Sequence, residues 1–176
     1  FPFSVLMSFE NALAEMGYSL SDGELEIWAR EGTSTANHSP RAWECAGEYF
    51  SVSAQVLPHL KLDDFVEWAR HGKSLIDQSN GLSITFFKAS PETLPHLRPS
   101  EIGGWDELGR RLYSNAWKTG ALSLQFFDAS ARLFSRLRYA DVEQLVYFIE
   151  TLSPHSQDDA SKCLGEGGEV CLGLDE

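Results

Sequence analysis

Basic side chains are scarce in this chain. Lys and Arg number 14 against 26 Asp and Glu, for a formal net charge of −12. Proteins that hold a phosphate backbone do so with clustered cations that displace counterions. The short pair Arg110-Arg111 is no such cluster, so nucleic acid is not an expected partner. An anionic membrane surface is disfavoured for the same reason. Long apolar runs are also missing: no stretch reaches the ~18 residues that a membrane-spanning helix needs. The opening Phe1-Pro2-Phe3-Ser4-Val5-Leu6-Met7 is apolar but has no basic segment and no clear cleavage site, so a secretory signal is not expected. The first residue is not Met, and the sequence reads as a fragment of a longer protein or as a trimmed start. Cysteine is limited to Cys45, Cys163 and Cys171. So scattered and odd a set does not suggest a disulfide framework, and a reducing, cytoplasmic compartment is the expectation.

What the chain does have is an internal repeat. Tyr49-Phe50-Ser51-Val52-Ser53 recurs as Phe86-Phe87-Lys88-Ala89-Ser90 and as Phe126-Phe127-Asp128-Ala129-Ser130. Each copy runs on to a closing Leu, at Leu60, Leu97 and Leu137. About eight residues later comes a large apolar side chain, Trp68, Trp105 or Leu145. Leu20 precedes Trp28 by the same interval, and a glycine follows each Trp by one turn, at Gly32, Gly72 and Gly109. The small residue predicts close approach by a neighbouring helix.

The period of about 37–40 residues holds two apolar helical stripes and predicts an all-α fold of roughly 3.5 stacked HEAT- or armadillo-like helical repeats. The repeats are expected over residues 1–152, with 153–176 a polar, acidic tail or truncated linker. Phe9, Leu13 and Met16 predict a first helix ended by Gly17, and Ser21 with Glu24 predicts a capping box. Residues 33–38 read as a loop. Ser39-Pro40 and Ser90-Pro91 read as capped helix starts, and Asp63 or Asp64 as a cap paired with Glu67. Trp105, Leu108, Leu112, Ala116 and Trp117 are expected on one face, and Val142, Leu145, Val146 and Phe148 on another. Trp43 has no repeat counterpart.

The pattern W-x-x-x-G, then Phe-Phe-x-Ala-Ser-Pro-x-x-Leu, then W-x-x-x-G resembles helical repeats of large bacterial proteins that also carry a von Willebrand factor A domain. The likeness spans Leu20 to about Leu152 and rests on Trp28, Gly32, Trp68, Gly72, Phe86, Phe87, Ser90, Pro91, Trp105, Phe126, Phe127 and Ser130. It implies a scaffold segment whose partner is a MoxR-type AAA ATPase or the client of one. The A-domain metal motif D-x-S-x-S has only a partial match here, Asp128-Ala129-Ser130-Ala131-Arg132, so that domain is not expected in this chain.

Candidate chemistry is thin. His59 and His96 share a repeat position, as do Ser83 and Ser123, but no third ligand or acid–base partner repeats with them. His155, Cys163 and Cys171 match no compact zinc spacing and read as thiols and a ring without a role, and Cys45 reads as a small helical residue. The acid pairs Asp63-Asp64 and Asp158-Asp159 fit helix starts. Gly165-Glu166-Gly167-Gly168 lacks the Lys and hydroxyl of a phosphate loop. No catalytic, cofactor or metal residue is therefore assigned. The expected role is a non-enzymatic protein-interaction scaffold, with Arg70, His71, Arg110 and Tyr113 as candidate partner contacts. The alternative is an all-α enzyme or small-ligand protein with a pocket between helices near His38, His71 or His155.

Overall fold

The computed structural model describes residues 2–17, 19–113, 120–152, 154–165 and 168–173, and among these there is no strand. The chain forms two compact units, Phe1–Leu94 and Pro95–Glu176. The first holds α1 (Phe3–Met16), α2 (Asp22–Ala36), α3 (Trp43–Val56), α4 (Leu62–Ser74) and α5 (Asn80–Thr93). The second holds α6 (Ile102–Arg111), α7 (Ala121–Arg136), α8 (Tyr139–Leu152), α9 (Gln157–Leu164) and the single turn α10 (Gly168–Cys171).

The repeated residues have one construction. In W-x-x-x-G the Trp and the Gly lie one turn apart on the same helix face. A Phe ring from the paired helix fills the space over the Gly and meets the Trp edge-on. Trp28 and Phe50 are 5.2 Å apart at 72°, Trp68 and Phe87 5.2 Å at 74°, and Trp105 and Phe127 5.6 Å at 83°. A Cβ on Gly32, Gly72 or Gly109 would stand 2.1, 2.2 or 2.1 Å from the Cζ of Phe50, Phe87 or Phe127. The pairs α2/α3, α4/α5 and α6/α7 are thus closed by the same contact. All three tryptophans are buried.

The serine of the repeat completes two of these contacts. Trp68 Nε1 donates to Ser90 Oγ at 2.9 Å and Trp105 Nε1 to Ser130 Oγ at 2.8 Å. Each hydroxyl in turn donates to the carbonyl four residues back. In the first pair Ser53 makes the backbone bond to Tyr49 O, but Trp28 Nε1 is buried with no hydrogen-bond partner. There the Tyr49 hydroxyl donates to Trp28 O at 2.9 Å instead. Burial, together with the nearby Glu31 charge, holds the Tyr49 pKa well above its usual value, so this hydroxyl keeps its proton.

Within the first unit α1 packs on α3, α3 on α5, and α2 on α4; in the second, α6 packs on α8 and α7 on α9. Neighbouring pairs therefore touch one period apart. His38–Asp77, Lys73–Ser34, Asn80–Arg41 and Arg111–Glu150 all join residues 39 apart in sequence.

Several helix ends differ from expectation. The Ser21–Glu24 capping box is present, with Glu24 N 3.3 Å from Ser21 Oγ and Ser21 N 2.8 Å from Glu24 Oε2. Of the run 33–38 only Asn37 and His38 leave the helix: α2 continues to Ala36, with Thr33 and Thr35 hydroxyls donating to the Ala29 and Glu31 carbonyls at 2.8 and 2.9 Å. Ser39-Pro40 starts no helix, because α3 begins at Trp43 after an uncapped turn. Helix α4 begins at Leu62 with no side-chain cap, and Glu67 pairs with Arg70 at 2.8 Å. Pro91 lies inside α5, where the Ser90 bonds to Trp68 and Phe86 hold the helix across it. Phe148 is 39% exposed, and Ile149 takes the buried place on α8. Ala116 and Trp117 lie outside the described residues.

The C-terminal stretch is not loose where it is described. Ser156 caps α9, and Ala160, Cys163 and Leu164 are buried as α9 packs on α7 and α8. Gln125 and Ser161 exchange hydrogen bonds at 2.8 Å, and Arg132 Nη2 donates to Leu164 O at 2.5 Å. Cys163 and Cys171 form a disulfide, contrary to the reading of unpaired thiols: α10 packs on α9, with the two Cα atoms 5.9 Å apart. Cys45 is free and buried.

Two stability measurements test the repeated contact. Gly72→Ala gains about 1 kcal/mol in helix propensity yet should lose about 1–3 kcal/mol net through overpacking, and the loss should shrink in a Phe87→Leu background. Ser90→Ala should cost about 1–3 kcal/mol by orphaning the Trp68 indole, whereas Ser53→Ala should cost clearly less. Urea titrations of the variants read both differences, and equal costs at Ser90 and Ser53 would contradict the assignment.

Candidate functional site

The amphipathic pattern that buries Trp68 and Ala69 leaves the next positions of α4 outward. Arg70 is exposed and bound to Glu67 at 2.8 Å; His71 is half-buried on the same turn. Lys73, two positions on, donates from Nζ to Ser34 Oγ at 3.0 Å and so ties α4 to α2. At the end of these helices His38 Nε2 and Asp77 Oδ1 are 2.7 Å apart. The first unit thus presents a polar strip of Arg70, His71, Lys73, His38 and Asp77 on α4 and the chain around α2 and α4.

In the second unit the other two candidate contacts differ in kind. Arg110 Nε bonds Asp106 Oδ1 at 2.9 Å, one turn back on α6. Asp106 is itself buried, so Arg110 neutralises a carboxylate that solvent does not reach. Tyr113, just beyond α6, is half-buried, and its ring packs against Gly120, whose φ of 59° lies in the left-handed region. Arg111 forks onto Glu150 of α8, with Nε at 3.1 Å and Nη2 at 2.5 Å. The Glu150 carboxylate beside it holds the Arg111 pKa above the usual value. Of the four candidates, then, Arg70 and His71 share a turn of α4, while Arg110 and Tyr113 belong to the second unit.

The histidines do not gather. His59, His96 and His155 are exposed, and no group of at least three His, Cys, Asp or Glu that could hold a metal occurs among the described residues. Burial raises the Cys45 thiol pKa, as suits an inert core residue. Glu48 on α3 also has a raised pKa, through partial burial that the Lys88 charge only partly offsets. A cavity of about 190 Å³ is lined by Val5, Leu6, Phe9, Thr33 and Phe50. It is apolar apart from the Thr33 hydroxyl, and His38, His71 and His155 do not line it.

Sequence reasoning missed the Arg111–Glu150 fork and the outward apolar side chains of α1: Phe3, Leu6, Met7 and Leu13. The fork had a usable signal, since opposite charges one repeat apart are placed to meet. No helix among the described residues is long and apolar enough to cross a membrane.

The two arginines should separate in stability. Arg110→Ala should cost about 1–3 kcal/mol by removing one charged hydrogen-bond partner of the buried Asp106, while Arg70→Ala should stay within about 0.5 kcal/mol. Thermal and urea unfolding of the two variants checks this; similar values would remove the structural role given to Arg110.

Neither a protein-family model, nor a curated protein, nor a solved structure matches this chain.

Proposed function

We propose that this chain is a non-enzymatic protein-interaction module, a segment of a HEAT-like stack whose polar helix faces dock another protein. The observation that carries the reading is the threefold Gly–Phe–Trp closure of α2/α3, α4/α5 and α6/α7. Sequence recurrence is spent on holding helix pairs together, and the intervening polar positions are left to vary. Repeat arrays of this kind offer extended surfaces to partners.

The resemblance to von Willebrand factor A domain proteins suggests the partner: a MoxR-type AAA ATPase or its client. A cytoplasmic location goes with that partner. The Cys163–Cys171 bond is then one that a reducing compartment opens. Of the four candidate contacts, Arg70 and His71 suit docking best, because Arg110 is engaged with a buried acid.

The test is binding of the full chain to a purified MoxR-type AAA ATPase, with surface variants. Arg70→Glu with His71→Ala should weaken binding about tenfold or more with no change in melting temperature. Undiminished binding by the double variant would remove Arg70 and His71 from the interface. Turnover of a small substrate by the chain alone would overturn the scaffold reading.

A further inference from the structure

The pair formed by α8 and α9 lacks the aromatic closure. Helix α9 packs on α7 and α8 as α5 packs on α3 and α4, so α8 and α9 stand as a further pair. Leu145 and Ile149 of α8 hold the places that Trp105 and Gly109 hold on α6, 40 residues earlier. A β-carbon at Ile149 removes the seat that Gly109 gives the Phe127 ring. Helix α9 has eight residues, none of them aromatic, against the 14 of α5.

The backbone of α10 stands over Leu145 instead. Gly168 is buried, and a Cβ there would lie 3.3 Å from Leu145 Cδ2, 3.4 Å from Leu133 Cδ2 and 3.0 Å from Cys163 O. Leu133 and Leu145 are themselves buried. The two short helices are anchored unequally. Helix α9 has the Ser156 cap, the Gln125–Ser161 exchange and Arg132 on its last carbonyls, and these bonds do not involve α10. Helix α10 is a single turn, too short to persist on its own backbone bonds. Leu172 N reaches Gly168 O at 3.3 Å, and the Cys163–Cys171 bond pins the turn to α9.

We infer that Cys163–Cys171 is a thiol-exchange site: a dithiol reductant opens it, and opening lifts α10 off Leu133 and Leu145 while α9 stays in place. Cys163 is 4% exposed and Cys171 half-buried, so an incoming thiolate reaches Cys171. It bonds to the Cys171 sulfur; the S–S bond breaks, and its electron pair goes to Cys163, which takes up a proton. The reductant's second thiolate then displaces Cys171 and closes its own disulfide. Two electrons have passed to the protein, and both cysteines end as thiols. Cys45 is free and buried and takes no part. The oxidised chain covers an apolar edge of the second unit, and the reduced chain presents it. This goes beyond the docking reading and does not depend on Arg70 or His71.

Dithiothreitol is the probe, used on the full chain without denaturant. Alkylated in denaturant before any reduction, the chain should label at Cys45 only; after native treatment with dithiothreitol it should label at Cys163 and Cys171 as well. In hydrogen exchange read by mass spectrometry, reduction should speed amide exchange over residues 168–172 about tenfold or more and leave residues 157–164 within about twofold. Cys171→Ser should show the fast exchange with no reductant present. Labelling of all three cysteines before reduction would overturn the inference. So would a bond that opens only in denaturant, or exchange over 168–172 that reduction leaves unchanged. Loss of protection across α7, α8 and α9 together would overturn it too, by making the bond a staple of the whole unit.

Discussion

A phenyl ring seated where a β-carbon would be is the contact on which the pairs depend. Helix axes come together only as far as their side chains permit. Removing the Cβ at Gly32, Gly72 and Gly109 lets a full ring enter between the helices and meet the Trp one turn earlier. The arrangement sets distance and rotation together. A larger residue pushes the ring out, and a smaller ring leaves a hole beside a buried indole. Glycine in a helix interior costs about 1 kcal/mol relative to Ala, an outlay that ring burial of roughly 1.5–3 kcal/mol exceeds.

The ring contact brings a second requirement. An indole placed in the core needs a partner for its N–H. Ser90 and Ser130 meet it because a serine one turn beyond the first of the paired aromatics faces the same side of the helix. The same hydroxyl bonds its own backbone, so donor and acceptor are both used. This explains why Phe-Phe-x-x-Ser recurs as a block in two of the copies. The aromatic pair supplies volume, and the hydroxyl makes the volume compatible with an indole.

What the sequence disclosed follows from this division. Trp, Gly, Phe and Ser recur because each has a steric or hydrogen-bonding partner at a fixed offset, and helix identity and pairing can be read from them. Helix ends could not be read so well. Ser39-Pro40 and Ser90-Pro91 have the same local chemistry, yet one lies in an uncapped turn and the other within α5, where tertiary bonds to Ser90 decide. The Cys163–Cys171 bond was hidden because it depends on α10 packing against α9, which no periodicity marks. Arg110 looked like a surface contact because the burial of Asp106 cannot be inferred from a charged, helical sequence.

Departures from the repeat occur in more than one copy: Leu145 stands where Trp is expected, and the α2/α3 pair differs at its hydrogen bonds. Tyr49 replaces Phe and sends its hydroxyl to Trp28 O, Ser53 keeps only its backbone bond, and the Trp28 indole is left without a partner. Tyr49 keeps its ring in the core, stacked on Trp68, and moves the buried hydrogen bond from the Trp28 indole N–H to the Trp28 carbonyl. A buried N–H without an acceptor is what that exchange costs, and the extra hydroxyl, satisfied by the backbone, offsets part of it.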